Sequence, residues 1–205
     1  MSSTTTRSIT TSSSSTVTAA GPPSAAQWAA LRRSLSGELV LPAQPAYGPA
    51  RLVYDLRYEG ATPAAIAYAA SPADVQRLVD FARQHALAPI PRCGGHSYAG
   101  YSTGSGLVID VGSMNTVAVS GLRASVGAGT RLVDLYAALA SAGVLVPGGS
   151  CPTVGVAGLA LGGGVGVLGR RYGLTADVLE SLQVVTADAR LLHVDQGSEP
   201  DLYWA

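Results

Sequence analysis

Strand and helix signals alternate along this chain of 205 residues, and the alternation predicts an α+β domain. Three features carry that reading: a strand, helix, strand pattern that occurs twice, a closing pair of strands near residues 182–194, and glycines gathered where strands run out into loops. Of 25 glycines, 20 lie between Gly94 and Gly173, so this stretch requires bare backbone where side chains would obstruct. The length suits one domain with its core, but not comfortably two.

Fourteen of the first eighteen residues are Ser or Thr. So little apolar surface cannot offset the entropy of ordering, and residues 1–24 are expected to be a disordered leader. Ala25 to Leu35 predicts a short helix, and Pro42, Pro45 and Pro49 a link, so that residues 25–46 precede a domain running from 47 to 205. The apolar stretch Ala64 to Ala70 leads into Ser71-Pro72-Ala73-Asp74, which supplies a helix cap, a proline for the first helical position and an acid for the first turn. The helix that follows buries Val75, Leu78, Val79 and Ala82. Next come a short strand at Ala88 to Pro91, the loop Arg92-Cys93-Gly94-Gly95-His96-Ser97-Tyr98, and strands at Leu107 to Val111 and Thr116 to Ser120. The second repetition opens at Arg123 to Gly129, passes through a helix that turns Leu132, Leu135, Tyr136 and Leu139 inward, stops at Gly143 and resumes as a strand at Val144 to Val146. Leu182 to Thr186 and Arg190 to Val194 are two strands joined at Ala187-Asp188-Ala189.

Composition excludes several function classes. Thirteen arginines, with no lysine, balance thirteen acids, which removes the basic excess that nucleic acids or anionic membranes require. No apolar run approaches the roughly 20 residues of a membrane-spanning helix. The leader also lacks the apolar centre of a secretory signal, and a cytoplasmic protein is expected. The two cysteines, Cys93 and Cys151, are too few for a disulfide scaffold. Cys93 and His96 have C-x-x-H spacing without a second pair, so no metal site is expected. Gly100-Tyr-Ser-Thr-Gly104 matches G-x-S-x-G but lacks the preceding buried strand and following helix of a nucleophile elbow. No G-x-G-x-x-G joins a strand directly to a helix, which leaves a nicotinamide site unsupported.

Two loops remain. In the first, Gly94 and Gly95 allow successive amides to point at one anion, a nest for phosphate that needs no cationic side chain, with His96 beside it. The second runs Pro147-Gly148-Gly149-Ser150-Cys151-Pro152-Thr153-Val154-Gly155-Val156-Ala157-Gly158 and continues through Gly162-Gly163-Gly164 and Gly166. A flat, rigid ligand lying against the backbone would require so many missing side chains. Its valines and leucines make it too apolar for a solvated linker.

At these loops the sequence resembles the flavin-binding domain of the berberine bridge enzyme-like oxidoreductases, in the vanillyl-alcohol oxidase and para-cresol methylhydroxylase (PCMH) superfamily. Arg92-Cys-Gly-Gly-His-Ser-Tyr98, Gly148-Gly-Ser-Cys-Pro-Thr-Val-Gly-Val-Ala-Gly158, the following Leu-Gly-Gly-Gly, Arg171-Tyr-Gly-Leu174 and Asp201-Leu-Tyr-Trp-Ala205 carry the likeness, which runs from about Tyr54 to the last residue. The resemblance implies a PCMH-type FAD-binding domain of two α/β subdomains. It also implies FAD held by two covalent bonds, from His96 to the 8α carbon and from Cys151 to C6. Both bonds would withdraw electron density from the ring, which suits difficult oxidations. Arg92, Cys93, Gly94, Gly95, Ser97 and Tyr98 would line the pyrophosphate cradle, mainly through amides, with Cys93 serving for packing. Gly155, Val156 and Gly158 would approach from the second loop, and Val154 would control oxygen access to the flavin's C4a carbon, a valine favouring oxidase over dehydrogenase behaviour.

The implied function is an FAD-dependent oxidase taking hydride from an alcohol, sugar or secondary metabolite to flavin N5, with dioxygen as the second substrate. A non-catalytic FAD-binding fragment and a cell-wall precursor reductase of the same superfamily are the alternatives, and the reductase would not need Cys151. Two departures from the family stand out. Asp188-Ala189 replaces the usual Asp-Gly or Asn-Gly, putting alanine where φ is expected to be positive. The chain also stops at Ala205, so the substrate domain and the catalytic base, usually tyrosine in bacterial members, are expected beyond this end.

Overall fold

The computed structural model describes residues 21–205. The leader expected at residues 1–24 therefore lies, up to residue 20, outside the described residues.

Helix α1 (Ala25–Ser34) starts where Ser24 and Gln27 form a reciprocal capping box. The segment after it, read from sequence as a link, adds a three-residue strand, β1 (Glu38–Val40), and a single helical turn, α2 (Tyr47–Ala50). The strand β2 (Ala65–Tyr68) leads into α3 (Pro72–Gln84), whose N-terminus is capped as the sequence predicts: Ser71 accepts from the Asp74 amide, and Pro72 opens the helix. Strands β3 (Pro89–Arg92) and β4 (Leu107–Asp110) complete a four-stranded sheet of order β1-β2-β4-β3. Strands β2, β4 and β3 run parallel, and β1 joins β2 antiparallel.

The period-two pattern of the strands divides this sheet into two cores. Ala65, Ala67, Leu107 and Ile109 face α3 and meet Leu78, Val79 and Ala82, along with Leu31 of α1 and Leu39 of β1. Alanines on β2 let the helix approach closely. Ile66 and Val108, one residue out of phase, pack with Val40 and Ile90 on the opposite face, under Tyr47 and Ala50.

The second half is smaller. Strands β5 (Val117–Ser120) and β6 (Arg123–Val126) form an antiparallel hairpin, covered by α4 (Leu132–Ser141) through Leu132, Leu135 and Leu139. The strand expected at Val144 to Val146 does not form. The Val144 amide donates back to the Leu139 carbonyl at 3.0 Å, ending the helix, and Pro147 has no N–H to offer a ladder. Both valines instead pack against α4. Short helices α5 (Val156–Leu161) and α6 (Gly169–Tyr172) follow. The hairpin β7 (Ser181–Val185) and β8 (Leu191–Asp195) and the terminal helix α7 (Pro200–Trp204) end the described chain. Ala189 does adopt positive φ, 63°, and its carbonyl accepts from Gln76 Nε2 of α3 at 2.8 Å, joining this hairpin to the first half.

Candidate functional site

The first glycine loop leaves the C-terminal end of β3, the end of a parallel sheet at which ligands commonly bind. Arg92, the last residue of β3, lies in register with Asp110 at the end of β4. Its Nε donates to Asp110 Oδ2 at 2.7 Å and its Nη2 to the Ala50 carbonyl at 2.9 Å, while Asp110 Oδ1 accepts from the Gly112 amide. Both side chains are buried, which fixes the strand ends against each other. Arg92 Nη1 is buried with no partner among the described residues. A buried charged donor left without an acceptor is costly, and an anion beside it would satisfy it.

The backbone continues that argument. The amides of Gly95, His96, Ser97 and Tyr98 donate to no acceptor among the described residues; Gly95 is buried, where N–H groups are almost always paired, while His96 and Ser97 are half-buried and Tyr98 is exposed. Gly95 turns the chain with φ of 70°, and its carbonyl accepts from the Tyr54 amide at 3.1 Å. A cleft of about 490 Å³ opens here, lined among others by Arg92, Gly94, Gly95, Ser113, Asn115 and Arg131.

The second loop is held from below by α4 and from the side by Thr175. Tyr136 donates to the Gly149 carbonyl at 2.6 Å and Thr175 to the Pro147 carbonyl at 2.8 Å. The amides of Leu132 and Val133 donate to the carbonyls of Val154 and Pro152, both at 3.0 Å. The two loops then meet directly. A Cβ on Gly94 would lie 2.6 Å from the Gly155 nitrogen and 2.7 Å from the Thr153 oxygen, and one on Gly155 would fall on the Cys93 sulfur. These two glycines are thus required by loop-to-loop packing, before any ligand is considered. Gly166 is likewise pressed against the Gly148 backbone, whereas a Cβ on Gly158 would meet nothing within 4 Å.

Around this junction stand the remaining residues singled out from sequence. His96 Nε2 lies 2.9 Å from Thr153 Oγ1 across the loops, and the Tyr54 ring stacks on the imidazole at 4.2 Å between centroids. Burial, reinforced by the positive charge of Arg131, holds the imidazole below its ordinary value. Cys151 is an exposed free thiol two residues before Thr153. Cys93 differs sharply: burial pushes its thiol up to about 11, a packing sulfur rather than a nucleophile. Ser97 Oγ accepts from the Tyr101 amide at 3.1 Å. The exposed Tyr98 offers its carbonyl to Arg57 and Tyr58. Val154 and Val156 are half-buried and pack on the α4 cluster. Ser102, from the G-x-S-x-G match, is buried without a hydrogen-bond partner for its hydroxyl.

Sequence reasoning missed Tyr54, Thr153, Asp110 and Arg131. Asp110 carried a signal, an acid ending an otherwise apolar strand, and Thr153 lay inside a quoted motif without a role. Tyr54 and Arg131 reach the site only through the fold.

Parallel strand ends, an amide nest and a glycine-lined junction define a domain for a bulky anionic cofactor of flavin-nucleotide type. Residues 63–195 match the FAD binding domain family, and this chain belongs to it. It is 38% identical over 180 residues to the FAD-linked oxidoreductase pynB of Aspergillus niger, covering 86% of this chain and 33% of that protein. Among solved structures it is similar to wild-type BBE-like 1 of Physcomitrella patens, with 36% identity and a TM-score of 0.83 over 87% of this chain and 40% of that one. It is also similar to glucooligosaccharide oxidase from Acremonium strictum, a protein described with a 6-S-cysteinyl, 8α-N1-histidyl FAD, at 30% identity and a TM-score of 0.81, over 87% of this chain and 38% of that one. The chain thus spans about a third to two-fifths of the length of these relatives. The PCMH-type fold and FAD as cofactor, both expected from sequence, hold. The residues present fit FAD, since the orphaned Arg92 Nη1 and the unpaired amides are the donors a pyrophosphate needs. Among the described residues no helix is long and apolar enough to cross a membrane.

Proposed function

We propose that the protein is an FAD-dependent oxidase whose flavin is bonded to His96 at the 8α carbon and to Cys151 at C6, and which oxidises an alcohol, sugar or secondary metabolite. The observation carrying this reading is the junction itself: His96 of the first loop meets Thr153 of the second at 2.9 Å, and the exposed Cys151 lies in the same turn as Thr153, closed by the Val154 amide to the Cys151 carbonyl at 3.2 Å. The doubly bonded FAD described for glucooligosaccharide oxidase supports it.

FAD, when bound, would supply the hydride acceptor for substrate oxidation and the route by which two electrons reach dioxygen as hydrogen peroxide. The chain's own residues bind and orient. Amides of residues 95–98 hold the pyrophosphate, and Arg92, locked by Asp110, adds a fixed positive charge. The glycine junction lets the two loops lie against each other, so that residues of both would hold the ring. Val154, packed on the α4 cluster, would serve as the oxygen gate. No described residue is assigned as the base that takes the substrate proton.

Acid precipitation of the flavin-loaded full chain tests the covalent reading. Flavin is expected to remain in the pellet of the parent and of each single variant, His96→Ala and Cys151→Ala, and to be released by the double variant. Release from the parent overturns it. For the gate, Val154→Leu is expected to slow reoxidation by dioxygen roughly tenfold or more while substrate reduction changes less. Stopped-flow absorbance follows both steps, and an unchanged oxygen rate removes Val154 from that role.

A further inference from the structure

We propose that Tyr54 and Thr153 are positioning residues that hold His96 with Nε2 turned away and Nδ1 presented as the attacking nitrogen for flavin attachment; the proposal rests on the covalent reading above. The geometry engages the ring on one face and at one edge. Tyr54 covers one face, with centroids 4.2 Å apart and planes 22° from parallel, and its amide is bonded to Gly95 beside the histidine. Thr153 Oγ1 takes the Nε2 edge at 2.9 Å, and Thr153 is itself fixed, because its neighbours Pro152 and Val154 are bonded to the start of α4.

The Thr153 hydroxyl can accept from Nε2–H or donate to a bare Nε2, and in the proposed clamp it accepts. A neutral imidazole carries one N–H and one bare nitrogen, and the hydrogen bond at one nitrogen decides the state of the other. With Nε2–H donating to the Thr153 hydroxyl, Nδ1 keeps its lone pair. Nδ1 has no hydrogen-bond partner among the described residues, which leaves it the open nitrogen of the half-buried ring. The lowered pKa of His96 favours the neutral ring over the imidazolium. In the net reaction one 8α C–H bond and the Nε2–H bond break and one C–Nδ1 bond forms. The two protons and two electrons released go to dioxygen, the oxidant, as hydrogen peroxide.

The test uses the full chain carrying Cys151→Ala, so that only the histidine bond is counted, and follows flavin retention after denaturation over time from addition of FAD. Thr153→Val is expected to lower the attachment rate roughly tenfold at equal total bound flavin, Thr153→Ser to restore it, and Tyr54→Leu to lower it. Digestion of the product is expected to give the Nδ1-linked flavinyl histidine. In the flavin-free chain, nitrogen NMR is expected to show His96 protonated at Nε2, and Thr153→Val to mix the tautomers. Attachment by Thr153→Val at the parent rate through the same nitrogen, or a flavin-free His96 protonated at Nδ1, overturns the clamp alone. A parent that releases all its flavin on denaturation overturns the covalent reading and the clamp with it.

Discussion

Single residues at this site are set by their neighbours more than by their type. Cys93 and Cys151 are both free thiols, yet one is half-buried against Gly155 and the other is exposed. The motif placed His96 and Cys151 in the sequence, because each lies within a contiguous run with its own glycines. It gave no role to Thr153 and none to Tyr54, since their contacts with His96 span 57 residues and the Tyr54 to Gly95 turn. His96 also makes a prediction about pH. Its folded pKa lies below the ordinary 6.5, through burial first and Arg131 second. Between that lowered value and 6.5 the unfolded chain binds more protons than the folded one, so stability rises with pH across the window and this contribution levels off above it. Thermal melts of the flavin-free parent and His96→Asn from about pH 5 to 8 should show a steeper rise in the parent below neutrality. Equal slopes would contradict the burial of this imidazole.

Elements were legible where the signal was local. Ser71, Pro72 and Asp74 marked the start of α3, and the β7–β8 hairpin was visible down to its positive-φ alanine. Two readings went astray for a common reason, that a strand exists only if something pairs with it. Val144 to Val146 looks like a strand but is tied to the end of α4, whereas β1 occupies three residues between Gly37 and Pro42 and depends wholly on β2. Asp74 shows how much a local reading can omit. Beyond its place in the first turn of α3, its buried carboxylate accepts from the amides of Ser36, Gly37 and Ala70 and from Arg77. It fastens the turn before β1 to the helix. Asp74→Ala is expected to cost roughly 2–4 kcal/mol through several lost charge-assisted bonds, read as a lowered midpoint in denaturant. A loss below about 0.5 kcal/mol, the scale of an ordinary surface change, would show that the α1–β1 segment holds by apolar packing alone.

The described residues form two halves, a sheet with a core on each face and a smaller α4-covered core, joined so that their glycine loops touch. Glycine density was the strongest sequence signal, and the structure divides its meaning. Gly94, Gly155 and Gly166 allow backbone to lie on backbone, while Gly95 turns the chain and Gly158 borders open space. On the function proposed above, the junction would bring a histidine from one half and a cysteine from the other to one cofactor edge, and that pairing is the central claim. Tryptic mapping of the flavin-loaded chain by mass spectrometry tests it most directly. Cleavage after the arginines separates Cys93–Arg123, which holds His96, from Leu132–Arg170, which holds Cys151. The predicted result is one species in which both peptides are joined through a single flavin; recovery of the two peptides separate and unmodified from flavin-loaded protein would contradict it.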